Sequence, residues 1–380
     1  MSVKNHLLSI CLIFSISAFA QKKEKLPVIK AHSLKVDIRD GDELRKEYWT
    51  ISPELNPDEY TSPKLGQRVV FYTDLDSIAV TLQETTVFDF IILVDGKKKA
   101  VTRIRYKPTN LVVLKNAAAW NKNDARKIPE FTYLDSSDVH LKALRSGFKL
   151  DSIAGEGNEV SRILELLHWI HRLIPHDGQH DNPEVRNAMS MIRQCKEEHR
   201  GLNCRGLGTV LNECYLSLGF KSRFLTCLPK DSMDTECHVI NMVYSNDLKK
   251  WIWVDPTHDS YVLNEKGVLV GPAEVRERLI DGRPLILNPD ANWNHRLSTV
   301  SENYLYDYMA KNLYRFSCPL NSTYDTETTA PGKSITYIEL VPLDYYHQES
   351  GPTETMIRDG KVKMIEYQTN NPDVFFAKPR

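Results

Sequence analysis

The chain has 380 residues, with 49 Lys and Arg against 50 Asp and Glu, a formal charge of −1. No basic stripe or acidic tail stands out, which argues against a nucleic-acid partner. The length suggests two or three domains rather than one core.

At the N-terminus, Lys4 and His6 precede the apolar run LLSICLIFSISAF, which closes on Ala18-Phe19-Ala20-Gln21. A basic start, an apolar core and an A-x-A ending describe a cleaved secretory signal peptide over residues 1–20. The run is shorter than the ~20 residues of a spanning helix. Cys11 would suit a lipoprotein, but Ile10 stands where a small residue is expected. No later segment is apolar enough to be transmembrane, so the mature chain is expected to be soluble and periplasmic or secreted.

Residues 21–110 read as a small β-sandwich. RVVFYTD (68–74), SIAVTLQ (77–83) and VFDFIILV (87–94) are β-branched and aromatic runs broken by turn residues, and Asp95-Gly96 turns the last back into KAVTRIRY. Residues 111–157, with NKNDARKIPEF and DSSD, read as a linker with little regular structure. Residues 158–300 hold helices followed by strands. Asn158 caps EVSRILELLHWIHRLI, where Val160, Ile163, Leu164, Leu167, Ile170 and Ile174 keep helical spacing. Asn182-Pro183 offers a cap and first-position proline for a helix ending near Arg200. SRFLTCLP, CHVINMVY and KWIWVDP then read as antiparallel strands, an α+β arrangement. Residues 301–380 add the helical YLYDYMAKNLYRF and the strand-like ITYIELVPL and KVKMIEYQT.

The chemistry is concentrated in GLNCRGLGTVLNECYLSLGF, residues 201–220. Asn203 is a favoured N-cap, which makes Cys204 the first helical residue, and Gly219 suits the C-terminal stop. A helix N-terminus carries about half a positive charge, which favours thiolate over thiol. Gly206 and Gly208 cost roughly 1 kcal/mol each in helix propensity, yet let another element approach the first turn closely. A nucleophile also needs a base and a group to orient that base. His238 opens one strand and Asp255 closes the next, so antiparallel pairing brings them together beneath the cysteine helix. Asp259 competes with Asp255 for the third role but lies beyond Pro256, outside the strand.

The ordered set of Cys204 with its helix, His238 at a strand start and W-I-W-V-D-P ending on Asp255 resembles the transglutaminase-like superfamily of papain-like thiol enzymes. The resemblance covers residues 160–261, about a quarter of the chain. It implies an α+β core of a helical layer on an antiparallel sheet, with Cys204 as nucleophile, His238 as general base and acid, and Asp255 holding the imidazole. It does not extend to the N-terminal β domain or the C-terminal segment.

The expected reaction is attack of the Cys204 thiolate on an amide or peptide bond to give a thioester, resolved by water. The oxyanion would sit near the Cys204 backbone N–H. The substrate would be a peptide, a glycoprotein or a cell-wall polymer, and no cofactor is expected. Alternatives are a cross-linking transamidase of the same fold and a polymer-binding scaffold with a vestigial triad. His176, Asp177, His180 and Asp181 in PHDGQHD could suggest a metal site, but a solvated loop after a helix fits better. Trp169 could line the cleft, though its helical spacing suits a core residue. Cys227 and Cys237 flank a strand turn. A register with Leu228 opposite Glu236 would place them within disulfide reach.

Overall fold

The structure, a computed structural model, describes residues 25–380. The segment read as a signal peptide lies outside the described residues. The chain divides into two compact units, one ending at Pro108 and the other starting at Thr109.

In the first unit, strands β1 (Val28–Ala31), β2 (Lys35–Asp40), β3 (Glu43–Thr50), β4 (Asp58–Ser62), β5 (Arg68–Tyr72), β6 (Ser77–Thr81), β7 (Val87–Val94) and β8 (Lys98–Tyr106) form two four-stranded sheets, ordered β1-β7-β8-β4 and β3-β2-β5-β6. Alternate side chains of both sheets, among them Ile38, Phe71, Phe90, Ile92 and Ile104, share one buried core. The β7–β8 turn takes Asp95 at φ 49° and Gly96 at φ 67°. Two successive positive φ values define the tight hairpin turn that Asp-Gly favours.

The second unit is α+β. A nine-stranded sheet is built from β9 (Ser222–Leu228), β10 (His238–Ser245), β11 (Lys250–Asp255), β12 (Ser260–Leu263), β13 (Ile286–Leu287), β14 (Arg315–Pro319), β15 (Lys333–Leu340), β16 (Thr353–Ile357) and β17 (Val362–Thr369). Its order is β13-β12-β11-β10-β9-β14-β15-β17-β16, so the C-terminal strands extend the sheet that carries His238 and Asp255. One face of its central strands packs Val243, Ile252 and Val254 against helices. The other packs Leu225, Ile240, Met242 and Trp253 against Leu114, Val275, Leu305 and Phe375. Cover on both faces explains why HVINMVYS is buried at every position, without the polar alternation of a half-exposed strand. Among the described residues, no helix is long and apolar enough to cross a membrane.

Two sequence expectations are corrected here. The segment read as a linker carries α1 (Asn110–Lys115), α2 (Val139–Gly147) and α3 (Leu150–Ala154). The DSSD signal is an N-cap, not a loop mark: the Asp138 carboxylate accepts from His140 N–H at 2.9 Å and Leu141 N–H at 3.2 Å. Leu141 and Leu144, three residues apart, are then fully buried. After α4 (Glu159–Leu173), the next helix, α5, runs Ala188–Glu198 with Asn187 as its cap, so Asn182-Pro183 does not start it. Asn182 instead braces the approach to α6 (Cys204–Ser217).

Candidate active site

Cys204 is the first residue of α6, whose Asn203 cap accepts from Gly206 N–H at 3.2 Å. Asn182 holds that cap from both sides. Its Nδ2 donates to Asn203 Oδ1 at 2.6 Å, and its Oδ1 accepts from Asn203 N–H at 3.1 Å. Here the small residues of the first turn find their reason. A Cβ on Gly206 would lie 2.5 Å from Asn182 Oδ1, and one on Gly208 would lie 3.1 Å from Val239 Cγ1. Gly206→Ala should therefore displace Asn182 and loosen the cap. The expected net cost is about 1–3 kcal/mol by overpacking, despite a propensity gain of about 1 kcal/mol. Thermal unfolding checks this, and an unchanged melting temperature would refute it.

His238 and Asp255 come together through strand register. The β10–β11 ladder pairs Asn241 with Val254, which sets Asp255 opposite Ile240, one diagonal step from His238 on the same face. His238 Nε2 meets Asp255 Oδ2 at 2.7 Å, with both side chains essentially buried. Asp255 is saturated: Oδ2 also accepts from Tyr304 OH at 2.5 Å, and Oδ1 accepts from Thr257 N–H at 2.8 Å. Burial alone would raise the Asp255 carboxyl, but the His238 charge and these donors hold it well below the carboxylate range. Burial likewise opposes charge on His238, yet Asp255 lifts the imidazole well above its usual value, helped by its contact with Cys204. With Nε2 engaged by Asp255, Nδ1 is the nitrogen left for the sulfur.

His176, His238 and the Val239 N–H stand beside the Cys204 thiol and favour its thiolate. Burial opposes ionisation, but these contacts bring the thiol down to about 6. Other thiols go the opposite way: burial pushes Cys195 up to about 11 and Cys318 up to about 11, with Cys214 and Cys227 also raised.

Around these groups opens a cleft of ≈ 670 Å³, bordered by His176, Asn182, Arg186, Arg205, His258, Trp293 and Tyr308 among others. His258 donates to or accepts from Thr299 Oγ1 through Nδ1 at 3.0 Å, and burial pushes its imidazole down to about 4. The Tyr308 ring lies 5.4 Å from that of His238. Tyr304 and Tyr308 project from a π turn, Tyr304–Met309, inside the segment read as plain helix. Their one-turn spacing in YLYDY was a visible hint of a shared face, but nothing local tied that face to Asp255.

The other sequence candidates are placed elsewhere. Asp259 pairs with His168 Nδ1 at 2.7 Å rather than with His238. Trp169 packs beside Phe148 at 5.9 Å between ring centres, among the helices and off the cleft. In PHDGQHD, His180 bonds Asp177 at 2.7 Å in an exposed position, whereas His176 turns into the cleft. Among the described residues, the group whose donor atoms come within 4.8 Å of one another is His238, Asp255 and His258. The Asp255 oxygens there are already taken by the bonds above. Finally, β9–β10 register pairs Cys227 with His238, one residue from the expected pairing. A one-residue slip turns a side chain to the opposite face of the sheet. Cys227 and Cys237 are accordingly both free.

The arrangement defines an α+β unit with an ionisable cysteine at a helix start, beside a buried His-Asp pair. No family model matches the chain, and no curated protein matches it. Among solved structures, a proposed cysteine protease from Cytophaga hutchinsonii is 16% identical, with a TM-score of 0.25 over 34% of this chain and 40% of that one. Red sea bream transglutaminase is 13% identical, with a TM-score of 0.20 over 66% of this chain and 52% of that one. This chain thus spans about half or less of either protein, and likeness at that level carries no weight for its chemistry.

Proposed function

We propose that this protein is an exported thiol enzyme of the transglutaminase-like kind, hydrolysing an amide or peptide bond through a Cys204 thioester. The observation behind the reading is the buried His238–Asp255 pair, extended to Tyr304, beside Cys204 at the start of its helix. The thiolate attacks the carbonyl carbon, and the C=O pair moves onto oxygen. Collapse of that adduct expels the amine, which takes its proton from His238. Water, deprotonated by His238, then releases the acid and restores the thiol. Asp255 keeps the ring oriented and stabilises the imidazolium.

The first test is selective alkylation. At pH ~6 a thiol of lowered pKa is substantially ionised, whereas an ordinary thiol, at ~8.5, is below one percent thiolate. Cys204 should therefore take up iodoacetamide on folded protein at least tenfold faster than Cys195, Cys214, Cys227 or Cys318, read by site-resolved mass spectrometry. Equal labelling would make Cys204 a structural thiol and end the enzyme reading. The second test offers peptide and cell-wall peptide substrates with and without a labelled primary amine. Release of a new carboxyl group marks hydrolysis; amine incorporation would replace the hydrolase with a transamidase.

A further inference from the structure

His176 is fixed more firmly than a solvated loop residue needs to be. Asn294 clamps its backbone, accepting from His176 N–H at 2.6 Å and donating to His176 O at 2.9 Å. The segment is also laced to the approach to α6: Asp177 N–H donates to Leu202 O at 2.8 Å, and Leu202 N–H to Pro175 O at 3.1 Å. Gly201 makes that contact feasible, since a Cβ there would lie 2.5 Å from Pro175 O. The ring itself is set by Trp293, whose Nε1 meets His176 Nδ1 at 3.2 Å. An indole N–H can only donate, so Nδ1 must accept, and the ring proton is confined to Nε2. His176 Nε2, the ring nitrogen left free by Trp293, is therefore an N–H donor and not a second base, in the cleft that Cys204 also lines.

We propose that His176 Nε2–H is a catalytic donor that, with the Cys204 backbone N–H, holds the oxyanion, and that Trp293 is the positioning residue that fixes its tautomer. This rests on the thiol-enzyme reading above. In the adduct, the oxygen is bonded to the same carbon as the sulfur, so a donor within reach of Sγ reaches that oxygen with little movement. As thiolate charge passes to the oxygen, the hydrogen bond follows it. A stronger bond in the transition state than in the resting enzyme is what accelerates a reaction. A neutral donor held by an indole also leaves His238 as the one imidazole able to return a proton to the leaving amine.

The test compares two reagents at Cys204 at pH ~9, where even an ordinary thiol of pKa ~8.5 is mostly ionised. Acetylglycinal adds the thiolate across its C=O, forming a C–S bond and placing an oxygen in the oxyanion position. Iodoacetamide displaces iodide and develops no such oxygen. His176→Leu should weaken aldehyde binding ~10-fold or more, towards the 10²–10³ that one oxyanion donor is worth in rate. Its iodoacetamide rate on the same protein reports how much thiolate the variant keeps, so the aldehyde loss is read as the excess over any loss of alkylation. His176→Gln, which retains an N–H donor, should recover most of the affinity. Trp293→Phe, which keeps a ring but releases the tautomer, should lose affinity severalfold. Undiminished aldehyde affinity in His176→Leu would overturn the proposal, leaving the Val239 N–H to hold the oxygen and the thiol-enzyme reading intact. Undiminished affinity in Trp293→Phe would overturn the positioning role. A native protein that fails to alkylate preferentially at Cys204 would sink the enzyme reading and this proposal together.

Discussion

Asp255→Asn is expected to leave the protein folded and to lower turnover about 10⁴-fold, the scale found when a triad aspartate becomes its amide. Asp255 Oδ2 accepts from Tyr304 OH and meets His238 Nε2 at 2.7 Å, while Oδ1 takes the Thr257 N–H. An asparagine that keeps the Thr257 bond on its oxygen puts its NH₂ in the place of Oδ2, facing His238 and Tyr304 OH, which must then accept instead of donate. Nε2 would then have to accept, and the proton would move to Nδ1, the nitrogen that must take one from the thiol. The imidazolium would lose its buried counter-charge as well. His238, now raised well above its usual value largely by the Asp255 charge, should fall back, and the Cys204 thiol should rise from about 6. The alkylation profile of Cys204 should therefore move to higher pH in Asp255→Asn, with turnover lost in parallel. His238→Ala should go further, on the order of 10⁶ in turnover, as for single losses of a triad nucleophile or base. Turnover within tenfold of native in either variant would remove the triad from the mechanism.

Glu327→Gln is expected to cost about 3–5 kcal/mol of stability, the usual result of removing one partner of a buried ion pair. Glu327 is fully buried and faces three guanidinium groups: Arg358 at 2.6 Å, Arg205 at 3.4 Å and Arg186 at 3.7 Å. Tyr337 OH donates to it as well. Burial alone would raise this carboxyl, but Arg205 and Arg358 pull it below its usual value. With the folded-state pKa depressed, the contribution is present above the unfolded value of 4.5 and is lost as pH falls through the folded one. Urea unfolding at pH 7 should therefore separate native protein from Glu327→Gln widely, and the gap should narrow below pH ~4. Equal stabilities at pH 7 would show that the arginines do not depend on this carboxylate. Arg205 follows Cys204 directly, so the cluster also anchors the first turn of α6, and Glu327→Gln should slow Cys204 alkylation too.

Much of the second unit could be read from local sequence because its signals act over a few residues. An Asn cap, a cysteine after it and a glycine at φ 83° past the end bound α6 within the chain's own hydrogen-bonding rules. The apolar runs around His238 and Asp255 could only be strands of a covered sheet, and a short turn between them leaves antiparallel pairing as the simple outcome. The meeting of His238 and Asp255 therefore follows from sequence order together with a short loop.

What lay beyond local reading depended on chain closure over long distances. Register between β9 and β10 was one residue from that expected, and on a sheet of period two that single step separates Cys227 from Cys237. Asp138 looked like part of a loop because a cap and a turn use the same residue types, and only the burial of Leu141 and Leu144 tells them apart. Tyr304 reaches Asp255 across 49 residues and Trp293 reaches His176 across 117. No periodicity or cap links such pairs; their meeting is decided by how the helical layer and the late strands close over the sheet. The sequence by itself determined the helix that starts at Cys204, the neighbouring strands and the meeting of His238 with Asp255, because each is a short-range hydrogen-bonding pattern. The tertiary structure alone decided which distant side chains complete the cleft, because their contacts are selected by packing the whole unit.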